Sequence, residues 1–352
     1  MSESQGPAVL IRTAASGAIG AGHVARTAAV ARELIAGGAR IVWACDSSTV
    51  PYLLQRGVQR ECVHVLVAAA TEGHSGEREL PGVAQDNDAN EVLSIMKATS
   101  ARAIMVDSYL LGARWQGRIR TACPHLVVFD DLVDRQIEAA IAINAAGDRG
   151  MYGRLAPGAL VLCGLEYAVV HAPRTLPPRL DRPGAVLVAF GASDTANATS
   201  AVLSALRANR RDDDPFDAWI QLGADAPHRG QVQQAADTLG WARLLDPGES
   251  IDADRRNISI AIGASGVSLY ERMRDGIPGI MMPLAENQRR IAMAAQACGA
   301  AVIARSESEA AGMAIALRGS ISKLREMSRS GRSAVDGLGA KRIAATISAC
   351  FA

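Results

Sequence analysis

Lysine is scarce, long apolar runs are missing and the charge is nearly balanced. Only Lys97, Lys323 and Lys341 stand among 37 basic residues, a bias of GC-rich coding that says little about function. A net charge of +1 offers no basic surface for a nucleic acid. No stretch approaches the roughly 20 apolar residues that span a bilayer. The opening "MSESQGPAVLIRTAAS" has no charged region followed by an apolar run, so a cytoplasmic location is expected. Cys45, Cys62, Cys123, Cys163, Cys298 and Cys350 are scattered, with no short-spaced pair for zinc or redox exchange, and read as small buried residues. No internal repeat or low-complexity segment is visible.

What remains is the composition of a globular α/β protein. At 352 residues, 49% of them hydrophobic, the chain is long enough for two domains of roughly 150 residues, each with its own core. Short β-branched runs, "AVLIRT", "ARIVWACD", "VHVLVA", "AIMVDS" and "HLVVFDD", alternate with helical periodicity in the first half. This is the signature of βαβ units on a parallel sheet. The pattern stops at "PRTLPPRLDRPG", rich in proline and charge, and restarts with "AVLVAFGASD", "AWIQLGAD", "ISIAIGASG" and "GIMMPLAENQ". The expected organisation is a domain over 1–175, a linker over 176–184, a second domain over 185–335 and a closing helix over 336–352 that could dock on either domain. Two Rossmann-like, doubly wound domains would bind their ligand in a cleft between them, at loops following the strands.

Three of those loops carry chemistry. In "AASGAIGAGHVART", glycines at 17, 20 and 22 suit positive φ or close approach to a ligand, and a helix opens near Gly22. Helix N–H groups there favour an anion or a polarised oxygen. His23 and Arg26, three residues apart, share one helix face, and the helix start disfavours imidazolium, keeping His23 available as a base. The glycine spacing departs from the dinucleotide fingerprint, although a nicotinamide-dependent oxidoreductase stays among the alternatives. In "AFGASDTANATS", Gly191, Ser193 and Asp194 form a tight turn in which either polar side chain can cap the following helix, a role compatible with facing a ligand.

The third loop, "AIGASGVSLYERMRDGIPGIMMPLAENQ", is the most specific. Ser265, Gly266, Val267 and Ser268 place glycine and hydroxyl groups at a helix start, which suits a diphosphate. Glu271 suits the two hydroxyls of a ribose. Glu286, Asn287 and Gln288 offer a carboxylate and two amides to a sugar's hydroxyl or acetamido groups. Asp130 and Asp131 of "FDDL" rank behind these, facing a ligand or capping a turn. His64, His74, His125 and His228 have no partner motif. The polar segment 70–91 reads as a loop over the cleft.

These residues carry a resemblance. "SGVSLYERMRDGIPGIMMPLAENQ" is similar to the nucleotide-binding segment of glycosyltransferase-B enzymes of the lipid-II N-acetylglucosaminyltransferase type. Taken with "IGAGHVART", "MVDSYLL", "VVFDDLVDR" and "AFGASD", the chain from about residue 9 to 300 resembles the UDP-2,4-diacetamido-2,4,6-trideoxy-β-L-altropyranose hydrolase family of pseudaminic acid biosynthesis. The resemblance implies a glycosyltransferase-B-like fold with His23 as catalytic base. Arg12, Gly20, Gly22, Arg26, Asp107, Tyr109, Gly191, Ser193, Asp194, Asn287 and Gln288 would line the sugar side. Ser265, Gly266, Val267, Ser268 and Glu271 would hold UDP. No metal or other cofactor is expected.

The chain departs from that family at three places. Where the family commonly reads Arg-x-Asp-x-Ser after its first strand, this chain has Ala14; Ala140 replaces a frequent Asp, and His171 a frequent Arg. These changes bear on the sugar and on hydrolysis, and leave the UDP pattern intact. The leading expectation is hydrolysis of a UDP-linked amino sugar at the anomeric carbon, with His23 deprotonating water. Its alternatives are a transferase of the same fold using a sugar or glycan hydroxyl as acceptor, and a nucleotide-sugar-binding subunit that turns nothing over.

Overall fold

The computed structural model of the chain describes residues 6–16, 19–67, 79–170, 176–182, 184–211, 213, 215–246, 249 and 255–351. It divides into two compact units, Met1–His171 with Leu338–Ala352, and Ala172–Gly337.

The first unit is built on strands β1 (Ala8–Thr13), β2 (Arg40–Cys45), β3 (Val63–Val65), β4 (Ala101–Asp107), β5 (Leu126–Phe129), β6 (Ile141–Asn144) and β7 (Leu160–Cys163). They pair in the order β3-β2-β1-β4-β5-β6-β7, all parallel. Between them run helices α1 (Gly22–Ala36), α2 (Val50–Leu54), α3 (Gly82–Thr99) and α4 (Ala113–Ala122). Alternation along β1 sends Val9 and Ile11 into one core layer with Val24 and Leu34 of α1, and Leu10 into the other with Val92 of α3 and Trp115 of α4. β6 and β7 went unread in the sequence because four-residue apolar runs carry little periodicity.

Two expectations change here. Of the segment 70–91, residues 70–78 lie outside the described residues, and the remainder contains the first half of α3 rather than a loop. Its polarity misleads because the inward face itself is polar: Gln85 and Asp88 are buried. Gln85 donates to Leu80 O and accepts from Gly112 N, while Asp88 accepts from Arg12 and from Trp115 Nε1.

The second unit contains β8 (Ala185–Ala189), α5 (Ala198–Asn209), β9 (Ala218–Ile220), α6 (Arg229–Leu239), β10 (Ala242–Leu244), β11 (Ile258–Gly263), α7 (Val267–Asp275), β12 (Gly279–Met281), α8 (Glu286–Ala297), β13 (Ala301–Ile303), α9 (Glu307–Arg318) and α10 (Ile321–Ala334). Its sheet runs β10-β9-β8-β11-β12-β13, again all parallel. The stretch expected as a linker belongs partly to this unit. Leu180 is buried in its core, Arg179 N donates to Arg256 O at 2.8 Å, and Arg325 donates to Leu180 O at 2.6 Å. The prolines extend the backbone there, and one leucine anchors it.

The closing helix, α11 (Gly339–Ala349), belongs to the first unit and seats Ile343 and Ile347 in the same core layer as α1. In both sheets the strand order reverses beside the first strand, between β1 and β4 and between β8 and β11. Loops diverge at such a reversal and leave a crevice at the carboxyl ends of the strands. "IGAGHVART" follows β1 and "GASGVSLYE" follows β11, so both motifs fall at reversals.

Candidate active site

Five polar side chains converge at the carboxyl end of the first sheet. β1 ends at Thr13, and Gly20, with φ of 80°, hydrogen-bonds its N–H to Ser16 O at 2.7 Å before α1 begins. Gly17 lies outside the described residues, and Gly22 is helical as the first residue of α1, so only Gly20 shows the positive φ expected of the motif. One turn of α1 aims His23 and Arg26 at Asp107, the last residue of β4. His23 Nδ1 lies 2.6 Å from Asp107 Oδ1. Arg26 donates to both oxygens of Asp107, at 2.6 and 2.7 Å, and to Asp131 at 2.9 Å. Tyr109 completes the group: its hydroxyl donates to Asp131 at 2.5 Å, and its ring meets the His23 ring edge-on at 4.7 Å.

The electrostatics follow from these contacts. Burial alone would raise the pKa of Asp107, but the Arg26 charge, with His23, holds it well below the ordinary carboxylate value. Burial would lower Arg26, and Asp107 and Asp131 keep it firmly charged. Burial and the Asp131 carboxylate push the Tyr109 phenol far above its usual value. Asp107 is therefore ionised and accepts the Nδ1 proton of His23, and in the neutral ring this tautomer carries the lone pair on Nε2. Among the described residues no group hydrogen-bonds Nε2.

Other expected residues take structural roles. Arg12 is fully buried, its guanidinium on Asp88 at 2.8 Å and on Thr13 O at 2.7 Å, so it is a core ion pair and does not reach a ligand. Asp130, buried, accepts from Leu132 N, Val133 N and the Tyr152 hydroxyl, and ties a turn, whereas its neighbour Asp131 joins His23's group. Ala14 is buried and Ala140 partly buried. His171 and His74 lie outside the described residues. Of the remaining histidines, His228 Nε2 lies 3.2 Å from Thr195 O, and His64 lies on β3.

In the second unit a pocket of about 350 Å³ opens at the carboxyl ends of β8, β9 and β10 and the start of α7. Gly191, Ser268 and Glu271 line it, together with Gln221, Leu222 and Asp246, which the sequence reading did not single out. Gly191 has φ of 98°, which accounts for glycine at this turn. Asp194 is buried and turned away: its oxygens accept from Ala198 N and Thr199 N at 3.0 and 2.9 Å and cap α5. Ser193 is exposed and absent from the lining.

At the start of α7, Gly266 is the N-cap in extended conformation and Val267 the first helical residue. Ser265 is fully buried, and its hydroxyl has no partner among the described residues. Gln288 is a loop tie rather than a free amide, since its Oε1 accepts from Ser265 N at 3.3 Å and from Leu284 N at 3.0 Å. Asn287 holds a buried Oδ1 without a partner, and Glu286 is exposed in an ion pair with Arg289. Among the described residues no three His, Cys, Asp or Glu side chains gather as metal ligands, and no helix is long and apolar enough to cross a membrane.

No family model and no curated protein matches the chain. Solved structures do. MurG of Acinetobacter baumannii superposes with a TM-score of 0.70 at 15% identity, over 97% of this chain and 99% of that one. The calicheamicin glycosyltransferase CalG4 gives 0.65 at 13% identity, over 99% and 98%. The spinosyn rhamnosyltransferase SpnG, solved with thymidine diphosphate, gives 0.63 at 14% identity, over 97% and 99%. The fold is that of the glycosyltransferase-B enzymes: two α/β units, each on a parallel sheet.

Proposed function

We propose that this chain is an enzyme that breaks the bond between a sugar's anomeric carbon and a nucleoside diphosphate, passing the sugar to a hydroxyl group of an acceptor. The His23–Asp107 pair carries the reading. An ionised Asp107 fixes the tautomer that leaves Nε2 able to accept a proton. In the step, Nε2 takes the proton of the attacking hydroxyl while its oxygen bonds to the anomeric carbon. The bond to the diphosphate breaks, and its electron pair leaves on the phosphate oxygen. A placed base of this kind contributes about 10²–10⁴-fold.

The second unit suits the donor. N–H groups at the start of α7 and the helix dipole favour the charge that grows on the departing diphosphate. Glu271 in the pocket suits the ribose hydroxyls, and the unpartnered Ser265 hydroxyl and Asn287 oxygen suit polar groups of a ligand. Likeness to glycosyltransferases, one of them solved with thymidine diphosphate, supports a nucleotide-sugar donor.

A second reading replaces the acceptor by water. The motif resemblance to the UDP-diacetamido-trideoxyaltrose hydrolases favours it, with UDP as the leaving group and His23 acting on water. Purified protein incubated with a panel of UDP- and TDP-sugars, with and without sugar acceptors, separates the two. Nucleotide release only when an acceptor is present identifies a transferase; release without one identifies a hydrolase. Binding with no release under either condition refutes both.

A further inference from the structure

Arg272 is a buried cation that forms no ion pair among the described residues. It lies on α7 beside Glu271 and is 5% exposed. Nη2 donates to Ala264 O at 2.7 Å and approaches Met281 Sδ at 3.8 Å, Nη1 donates to Ala189 O at 3.4 Å, and Nε has no partner. Buried Arg12, Arg26 and Arg274 each face a carboxylate. Among the described residues Arg272 pairs with none. Burial brings its pKa down to about 10, opposed only by Glu271, so it is still charged at neutral pH. A buried, unpaired guanidinium is costly, and a leucine or methionine would fill the same space without that cost.

Its position gives it a use. The carbonyls it holds belong to the end of β8 and to the loop between β11 and α7, the two sides of the strand-order reversal. Gly263 makes room: a Cβ there would lie 1.9 Å from Ala189 O and 3.2 Å from Arg272 Nη1. In a trans peptide N–H and C=O point opposite ways, so holding Ala264 O turns the Ser265 N–H away from the guanidinium, where Gln288 Oε1 accepts it at 3.3 Å. Ser265, next in the chain, carries the buried hydroxyl without a partner. A cation thus sits behind a loop on which the buried Ser265 hydroxyl has no partner among the described residues.

We propose that Arg272 is a fixed positive charge set beneath the β11–α7 loop to stabilise a diphosphate bound on that loop. The inference rests on the nucleotide reading of this unit. It assigns the binding of the charged part of the donor to a residue that does not touch it. One unit charge acting through a single layer of peptide at an effective dielectric near 20 changes affinity by on the order of tenfold.

The test is titration calorimetry of the whole chain with UDP and with uridine, which has no phosphate. Arg272→Met should weaken UDP about tenfold and leave uridine unchanged; Arg272→Lys should keep most of the UDP preference near pH 7. Equal losses for both ligands, or none, overturn the role of Arg272. Should Arg272→Met fail to fold, the Lys variant decides by itself. A buried ammonium loses its proton sooner than a guanidinium, so its preference for UDP should fall between about pH 7 and about pH 9.5 while the wild-type preference holds. A preference in that variant as constant as the wild type's overturns the proposal. If the wild type binds no UDP, the nucleotide reading of the unit is refuted, and the inference with it.

Discussion

Replacing Asp107 by asparagine tests the first-unit site most directly, because the two side chains have the same shape and differ in what they can accept. Asp107 receives His23 Nδ1 and Arg26 Nη2 on one oxygen and Arg26 Nε on the other. An amide has one oxygen to offer. If it faces His23, its NH₂ is set against the Nε–H of Arg26, donor against donor. If it is flipped, its NH₂ donates to His23 Nδ1, forces the proton onto Nε2 and removes the base. Either orientation leaves Arg26 with Asp131 as its single carboxylate partner. Breaking a buried pair of this kind costs about 3–5 kcal/mol, which lowers Tm by roughly 10 °C in a unit of this size. Activity should fall about 10²–10⁴-fold, the range of a lost general base. The sign of the pH dependence follows from the depressed pKa of Asp107. Its stabilisation is complete above the unfolded value of about 3.9 and is lost as pH falls toward the lower native value. The Tm advantage of the wild type over Asp107→Asn should therefore be flat from about pH 5 upward and close below about pH 4. Nucleotide release measured beside thermal unfolding checks both effects. Release within threefold of wild type, with the Tm loss present, would refute the dependence of the base on an ionised partner; an unchanged Tm would refute the ionised buried pair.

His23→Ala should cut nucleotide release about 10²–10⁴-fold and leave UDP affinity within twofold by calorimetry, because the pocket proposed for the nucleotide is lined, among the described residues, by second-unit side chains. Glu271→Ala should cut the preference for UDP over its 2′,3′-dideoxy analogue by about tenfold or more, since charge-assisted hydrogen bonds contribute about 1.5–3 kcal/mol; an unchanged preference removes Glu271 from the ribose. Arg12→Met leaves Asp88 buried with Trp115 as its remaining side-chain donor and should cost about 3–5 kcal/mol in denaturant unfolding. Its UDP affinity should match the wild type's, and a selective loss would return Arg12 to the ligand site.

The parts of the molecule legible in the sequence are those where one physical signal dominates. β1, β4, β5, β8 and β11 are apolar runs ended by glycine, Asp or Ser, and loops after such strands carry ligand sites, so "IGAGHVART" and "GASGVSLYE" could be placed before any coordinates. Hidden parts are those where a polar residue points inward. Arg12 reads as a ligand cation because its partner, Asp88, lies 76 residues away in a segment polar enough to pass for a loop. Asp194 and Gln288 read as ligand contacts because the N–H groups they satisfy belong to the backbone, which sequence patterns do not display. Asp130 and Asp131 read alike in the sequence for a related reason, as only the pairing of β4 with β5 shows which of two adjacent aspartates faces Arg26.

The cluster around His23 also bears on the choice between water and an acceptor. Arg26, Asp107, Asp131 and Tyr109 hydrogen-bond one another, while His23 Nε2, the proposed base, has no partner among the described residues. Among these five side chains the group offers a base and its orientation, and a further contact to aim a water molecule would have to come from outside it. Hydrolysis by direct attack needs such a contact, whereas a sugar acceptor brings its own binding contacts and can be aimed by the rest of its structure. Ala14, a methyl side chain where the resembled hydrolases commonly carry a carboxylate, adds no polar atom that could take the task. Ala14→Asp is therefore the instructive substitution. If the native reaction is transfer, the added carboxylate should raise acceptor-independent nucleotide release above the wild-type rate; if the native chain already hydrolyses its donor efficiently, the variant should gain nothing, and the transfer reading falls.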